Sequence, residues 1–440
     1  MTSNSELLGG FGISEGDLPD QRGVRSVPFE AHLILPDQVR PAEVDKVVEN
    51  LANTWHSSYL RKPSKAKVER FKQCALLILL NLVQAEVRSS GLTVGIATGK
   101  QRLDDQRRYQ PDFMSVDYFL KAMEALQEDG TMLQVAPGYQ NDGLAQVARY
   151  SLTDAARAAI ISDAPPLKAF TLSGTEETIR LKDHHGQLAK YKDTDETKAM
   201  RAGLARINDL IATARVSSRR PPLPELDLED GHSSHGVRLY RVFNNGTFAE
   251  GGRFYGGWWQ SARKHFRPLI TISDETTIEA DFKGLHPTIL FAQSGLPCPE
   301  DPYSLVPGAA NDSLLRDHAK TTFLALLNAG RKGTQEPRDF DTERHGMSRI
   351  AFQEQVKAAF PLLSDHFGTG VGTRLQRLDS DLAEMIMLHF VERNVPVLPV
   401  HDSFIVAERH REELVQVMVQ TFRFVYGQEI GVSLKGSRQS

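Results

Sequence analysis

The sequence predicts an α+β fold, and three observations point that way. In the second half, short β-like runs (269–272, 277–281 and 397–400) alternate with long helical patterns at 313–329, 349–360 and 373–393, so a few strands support helices. In the first half, a helix, a turn-rich β-hairpin and a second helix follow one another over 111–161. The 440 residues are 40% hydrophobic and 25% charged, an ordinary globular balance.

Residues 1–40 are rich in Gly, Pro, Asp and Ser and are expected to be partly disordered. From about Pro41 to Val87 the pattern is helical. Val68, Phe71, Ala75, Leu76, Leu79 and Leu82 recur mostly at three- and four-residue steps. The interleaved Lys65, Lys67, Arg70 and Lys72 suit a solvated face and a nucleic-acid contact equally. A helix starting near Ser115 buries Phe119, Leu120, Met123 and Leu126 and ends at Gly130. Two β-like runs follow, Thr131 to Ala136 and Leu144 to Leu152, and Thr153 or Asp154 caps the next helix. This order resembles a winged-helix module, a relative of the helix-turn-helix DNA binders, so 41–165 reads as a helical, winged-helix-like nucleic-acid-binding domain. Residues 166–236 read as a helical, thumb-like segment with a linker. Within it, the helix near 195–214 carries Leu204, Ile207, Leu210 and Ile211 on one face, and a Pro-rich, acidic stretch covers 216–236. Residues 237–440 form the remaining domain.

The net charge of −4 gives no global sign of a nucleic-acid partner, but a binding groove depends on local charge. Cys74 and Cys298 form no disulfide framework or zinc pattern. The N-terminus lacks a signal-peptide pattern. The apolar stretch from Cys74 to Val83 is far short of the roughly 20 residues a membrane span needs. A cytoplasmic chain with no membrane partner is expected.

Two aspartates stand at the ends of β-like runs: Asp281 closes Thr-Ile-Glu-Ala-Asp, and Asp402 follows Val-Leu-Pro-Val-His. Adjacent strands would bring their carboxylates together, where they repel unless a cation neutralises them. Hard divalent ions, Mg2+ above all, do this with oxygen ligands. Two such ions can activate an attacking hydroxyl and stabilise a leaving phosphate. Arg316 and Lys320 lie four apart on one helical face, with Asn328 two turns beyond Lys320. Cations so spaced can hold a triphosphate, Arg as a fork and Lys as a point charge. Residues 253–267 mix Phe254, Tyr255, Trp258, Trp259 and Phe266 with Arg253, Arg263, Lys264, His265 and Arg267. That mixture favours a nucleic-acid contact, bases stacking on rings while cations follow phosphates.

Together these segments, over roughly 245–436, resemble the palm and fingers of family A DNA polymerases and the related single-subunit RNA polymerases of bacteriophages. Asp281-Phe-Lys-Gly-Leu-His-Pro287 is similar to the first carboxylate motif, and Val400-His-Asp-Ser403 to the closing one, with serine as in the RNA polymerases. Arg316 to Lys320 resembles the fingers helix. Gln376 and Asp381 match a Q-x-x-x-x-D helix, and Gly252-Arg-Phe-Tyr255 matches a template-touching G-R-x-Y segment. The resemblance implies a polymerase right hand: an antiparallel-sheet palm with helical fingers and thumb. It implies that Asp281 and Asp402, helped by the Phe282 carbonyl, bind two Mg2+ ions, with Mn2+ as a substitute. Arg316 and Lys320 would hold the incoming nucleoside triphosphate, Lys320 also as proton donor to pyrophosphate. His401 would sit near the primer end, and Arg253 and Gln376 would steady template or primer. Two positions depart from the family: Asn328 replaces the aromatic that closes over the nascent pair, and His286 replaces the residue that screens the sugar 2′ position.

The expected function is therefore a template-directed nucleotidyltransferase, a family A-like DNA polymerase acting on primer-template DNA. Residues 1–230 carry no set of acidic exonuclease motifs, so proofreading is not expected. An RNA polymerase or primase-like enzyme shares every catalytic residue. From another class, a DNA-binding replication initiator or regulator would use the winged-helix-like region and survive loss of Asp281. A His-Asp phosphohydrolase would need more histidines at helical spacing than the helix 373–393 supplies, where His389 stands alone.

Overall fold

The computed structural model describes residues 25–141, 144–174, 176–219, 237–330, 340 and 342–436. Of the stretch 1–40 expected to be partly disordered, residues 1–24 lie outside the described residues, as do 220–236 of the linker, while Ser26–Pro28 and Leu33–Ile34 form strands. The fold is mixed α+β, and the chain divides into two compact units. One comprises 1–177 with 188–190 and 229–235; the other comprises 178–187, 191–228 and 236–440.

The first unit contains, in order, β1 (Ser26–Pro28), β2 (Leu33–Ile34), α1 (Ala42–Ser57), α2 (Lys65–Arg88), β3 (Thr93–Ile96), α3 (Lys100–Asp105), α4 (Val116–Glu128), β4 (Met132–Ala136), β5 (Tyr139–Asn141), β6 (Leu144–Gln146), β7 (Ala148–Leu152), α5 (Asp154–Ile160) and β8 (Thr171–Leu172). Helix α2 runs through its core, burying Phe71, Cys74, Ala75, Ile78, Leu79 and Leu82. Ser115 caps α4, its hydroxyl accepting from the Tyr118 N–H at 3.4 Å. Thr153 caps α5 in the same way, accepting from Ala156 at 3.3 Å. The main sheet has the order β1-β3-β7-β4. Its β3–β7 and β7–β4 pairs are antiparallel and its β1–β3 pair is parallel.

The second unit continues with β9 (Ile179–Leu181), α6 (Asp195–Thr213), β10 (Val216–Ser218), β11 (Tyr240–Phe243), β12 (Gly251–Tyr255), α7 (Trp258–Ser261), β13 (Ile270–Ile272), β14 (Glu275–Phe282), α8 (Leu285–Gln293), α9 (Ser313–Asn328), α10 (Thr342–His345), α11 (Arg349–Ala359), α12 (Gly372–Glu392), β15 (Leu398–Val400), β16 (Ser403–Ala407), α13 (Arg411–Tyr426) and β17 (Val432–Gly436). Its principal sheet runs β10-β13-β14-β16-β15, and β17 pairs with the free side of β14. Along β14, polar Thr277, Glu279 and Asp281 alternate with apolar Ile278, Ala280 and Phe282, so one face is polar and the other apolar. On the apolar face Phe282 meets Phe404 and, from α13, Phe422 at centroid distances of 6.5 and 6.4 Å. Opposed residues on neighbouring strands share a face. The polar face therefore gathers Ser403 from β16 and Ser433 and Lys435 from β17 beside Glu279 and Asp281.

Two expectations change. Asp402 follows β15, but the strand beside β14 is β16, which begins after Asp402; β15 lies one strand further out. The aromatics of 253–267 do not form a stacking platform: Phe254, Tyr255, Trp258 and Trp259 are all buried. The Trp259 indole N–H donates to the Pro399 carbonyl at 3.0 Å, which lets a large amphipathic ring fill the core with its polar atom satisfied. Gly256 permits the sharp connection from β12 to α7. Its φ is +104°, and a Cβ there would stand 2.4 Å from the Arg238 carbonyl oxygen. Among the described residues no helix is long and apolar enough to cross a membrane.

Candidate active site

Strand register brings the two predicted carboxylates together. Asp281 pairs with Ser403 across β14 and β16, and Asp402 is the residue just before Ser403. Val400 and Ser403 pair across the β15–β16 hairpin, leaving His401 and Asp402 as a two-residue loop. His401 has φ +58°; positive φ at the first loop position is the type II′ pattern in which glycine is usual. A non-glycine residue there costs on the order of 1–3 kcal/mol. Its ring is wedged against Tyr255, centroids 5.9 Å apart. Burial, together with the Arg253 charge, pushes the His401 pKa down to about 4, so the imidazole is neutral at pH 7. Burial and the negative charge of Asp402 raise the Asp281 carboxyl above its ordinary range, against the opposing pull of Lys435. Because Lys283 N–H donates to the Gly431 carbonyl at 2.8 Å, the odd residues of β14 turn their backbone groups toward β17. The Phe282 carbonyl therefore faces the β16 side, where Asp402 stands.

The polar face is occupied by an ion network. Lys435 Nζ donates to Asp281 Oδ2 at 2.5 Å and lies 3.5 Å from Glu279 Oε1. Glu279 is gripped by Arg267 through two bonds of 2.9 and 3.2 Å and accepts from the Ser403 hydroxyl at 2.9 Å. Burial would raise the Glu279 carboxyl, but Arg267, Lys435 and Ser403 together hold it below its ordinary value.

Arg253 and His286 converge on one acid. Asp379, its side chain fully inaccessible, accepts from Arg253 Nη2 at 2.5 Å and lies 2.9 Å from His286 Nε2. Burial would raise its carboxyl, yet Arg253 and His286 hold it below the usual carboxylate range. The Asp402 charge also reaches Arg253, which ties this buried group to the carboxylate pair. Gln376 is partly buried on α12, one turn before Asp379. Asp381 belongs to a separate cluster: Arg241 Nη2 approaches it at 3.2 Å, and Arg377 pairs with it.

Helix α9 is capped by Asp312, which accepts from the Leu314 and Leu315 amides at 2.9 and 3.1 Å. Arg316 is clamped by both oxygens of Asp301 at 2.6 and 3.0 Å and lies over the Tyr303 ring at 5.6 Å. The buried Tyr303 hydroxyl feels both Arg316 and Asp402, so this end of α9 lies on the Asp402 side. Lys320, one turn along the same face, is exposed and has no ion pair among the described residues. Asn328 donates to the Leu324 carbonyl at 2.8 Å, and its amide packs against Gly372, where a Cβ would lie 1.9 Å from Oδ1.

Sequence reasoning missed Asp379, Lys435, Glu279 and Asp301. Asp379 had a visible signal, a carboxylate on the stripe of Leu375, Leu382 and Ile386 that α12 buries. Lys435 had none, because its role depends on which distant strand β17 joins.

Among the described residues, no three His, Cys, Asp or Glu side chains form a complete metal cage. The donors here are two mutually repelling carboxylates and a backbone carbonyl. Such a set fits Mg2+, which commonly takes one or two carboxylates and completes its shell with water and substrate phosphate.

No family model and no curated protein matches the chain. Among solved structures it is similar to the POL domain of Pol1 from M. smegmatis in complex with DNA primer-template and dNTP. The identity is 12%, the TM-score is 0.31, and the match covers 84% of this chain and 68% of that one.

Proposed function

We propose that the second unit is the catalytic part of a template-directed nucleotidyltransferase, a family A-like DNA polymerase that extends a 3′ end without proofreading. The observation that carries this reading is the meeting of Asp281 and Asp402 at one end of the neighbouring strands β14 and β16, close enough for one charge to raise the other carboxyl. Asp281, Asp402 and the Phe282 carbonyl would hold two Mg2+ ions. Bound there, the ions supply an activated hydroxyl and neutralise charge on the leaving phosphate. The remaining work is positioning and charge complementarity. Arg316, preset by Asp301, and Lys320, which has no ion pair among the described residues, present two cations along one helix face to a triphosphate, and Lys320 can pass a proton to pyrophosphate. His286, fixed by Asp379, stands at the sugar-screening position of the resemblance. The neutral His401 lies beside the primer position, while Arg253 and Gln376 steady template or primer.

The winged-helix reading of the first unit is supported by its antiparallel β3-β7-β4 order around α2 and α4. The outward side of α4, however, carries Asp117, Glu124 and Glu128 beside Lys121. Those acids would repel phosphates. This favours a protein contact for that helix and weighs against a DNA-binding initiator.

The test is extension of a labelled primer on a defined DNA template with Mg2+, offering dNTPs or NTPs to wild type and to Asp402→Ala. Extension with dNTPs by wild type and its loss in the variant are expected, with no excision of a mismatched terminus. Extension with NTPs alone would select the RNA polymerase or primase-like alternative. Incorporation that survives Asp402→Ala would refute the assignment.

A further inference from the structure

The polar face of the sheet holds a cation where the proposed reaction needs a divalent one. Lys435 lies opposite Glu279 in the β14–β17 register, and its ammonium stands between two carboxylates, 2.5 Å from Asp281 Oδ2 and 3.5 Å from Glu279 Oε1. The two acceptors differ in kind. Glu279 is already held by Arg267 and Ser403 inside the protein. Asp281 has only Lys435 as a side-chain partner among the described residues and faces Asp402.

We propose that Lys435 is a tethered counter-ion that occupies the Asp281 carboxylate in the metal-free protein and moves fully to Glu279 when a divalent cation binds. This rests on the reading of Asp281 and Asp402 as metal ligands. The displacement needs only rotation about the side-chain bonds of Lys435, because the strand that carries it is fixed on both sides of the residue by the pairing of 432–436. Glu279, on the same face two residues before Asp281, offers the ammonium a second ion pair, so no charge is left bare. The device sets a threshold for divalent binding and keeps the two carboxylates from repelling each other while no metal is present.

The test measures Mn2+ binding to the full chain by electron paramagnetic resonance, so that the readout is affinity and not turnover. Even with the screening of bulk water, a unit positive charge about 4 Å from a divalent ion is worth more than roughly tenfold in affinity. Lys435→Gln should therefore bind Mn2+ at least roughly tenfold more tightly than wild type, and Lys435→Arg should stay close to wild type. Misfolding cannot produce a gain in affinity. Glu279→Gln removes the fallback acceptor and should weaken Mn2+ binding. Unchanged or weaker binding in Lys435→Gln, or no Mn2+ binding in any of the proteins, would overturn the proposal. Tighter binding in a protein that extends no primer would leave the counter-ion role standing and remove the polymerase reading instead.

Discussion

The Arg253–Asp379 pair yields a sharp energetic test. Removing one partner of a buried ion pair leaves an uncompensated charge and costs about 3–5 kcal/mol, whereas replacing both by apolar groups is often near neutral. The two sides are not equivalent. The Asp379 side chain is 0% exposed and the Arg253 side chain 20%, so a guanidinium without Asp379 can recover some hydration, whereas a carboxylate without Arg253 cannot and keeps only His286, 2.9 Å away. Asp379→Leu should therefore fall near the lower end of that range and Arg253→Met near the upper end. The double variant should cost on the order of 2–3 kcal/mol less than the sum of the singles. Urea unfolding followed by tryptophan fluorescence measures this directly. Trp258 and Trp259 are buried in the same unit, and a Trp55→Phe background removes the indole of the first unit. Additivity within about 0.5 kcal/mol would show that the pair does not hold this core together.

Two further expectations concern His401 and Lys320. The His401 pKa is depressed to about 4 by burial and by Arg253, so the stability it confers is complete above its ordinary value of 6.5 and is lost as pH falls toward 4. Between pH 7.5 and 5 that amounts to on the order of 2 kcal/mol; His401→Phe should flatten this limb in urea midpoints measured at the two pH values. Lys320→Ala should leave the urea midpoint within about 0.5 kcal/mol of wild type, as exposed positions do, while raising KM for the nucleoside triphosphate in primer extension.

Local periodicity made most of the second unit legible. The β-like run Thr277 to Asp281 marked β14, and the spacing of Leu375, Leu378, Leu382 and Ile386 marked α12. The same patterns could not say which strands pair. The choice of β16 over β15 beside β14 depends on the two-residue turn at His401 and Asp402, and β17 joins β14 from the far end of the unit. For that reason Asp281 and Asp402 could be matched in sequence while Lys435 could not. The run of aromatics in 253–267 misled for a related reason: composition records which rings are present, and only packing decides whether their faces meet bases or a core. Arg253 and Arg316 were found as cations, but the acids that fix them, Asp379 and Asp301, became visible only in three dimensions.

The position of β14 at the middle of its sheet also governs how the molecule can be made. Two of its three neighbours, β16 and β17, are encoded much later, and Asp281 meets Lys435 across a sequence separation of 154 residues. During synthesis at about 5–20 residues per second, β14 has no partner on either side beyond the short β13 hairpin until β16 and then β17 leave the ribosome. For those seconds a strand with one apolar face is open to wrong pairings. A message cut short before residue 432 would thus yield a chain in which β14 lacks its β17 partner and Asp281 lacks Lys435, however much of its helical framework had already formed.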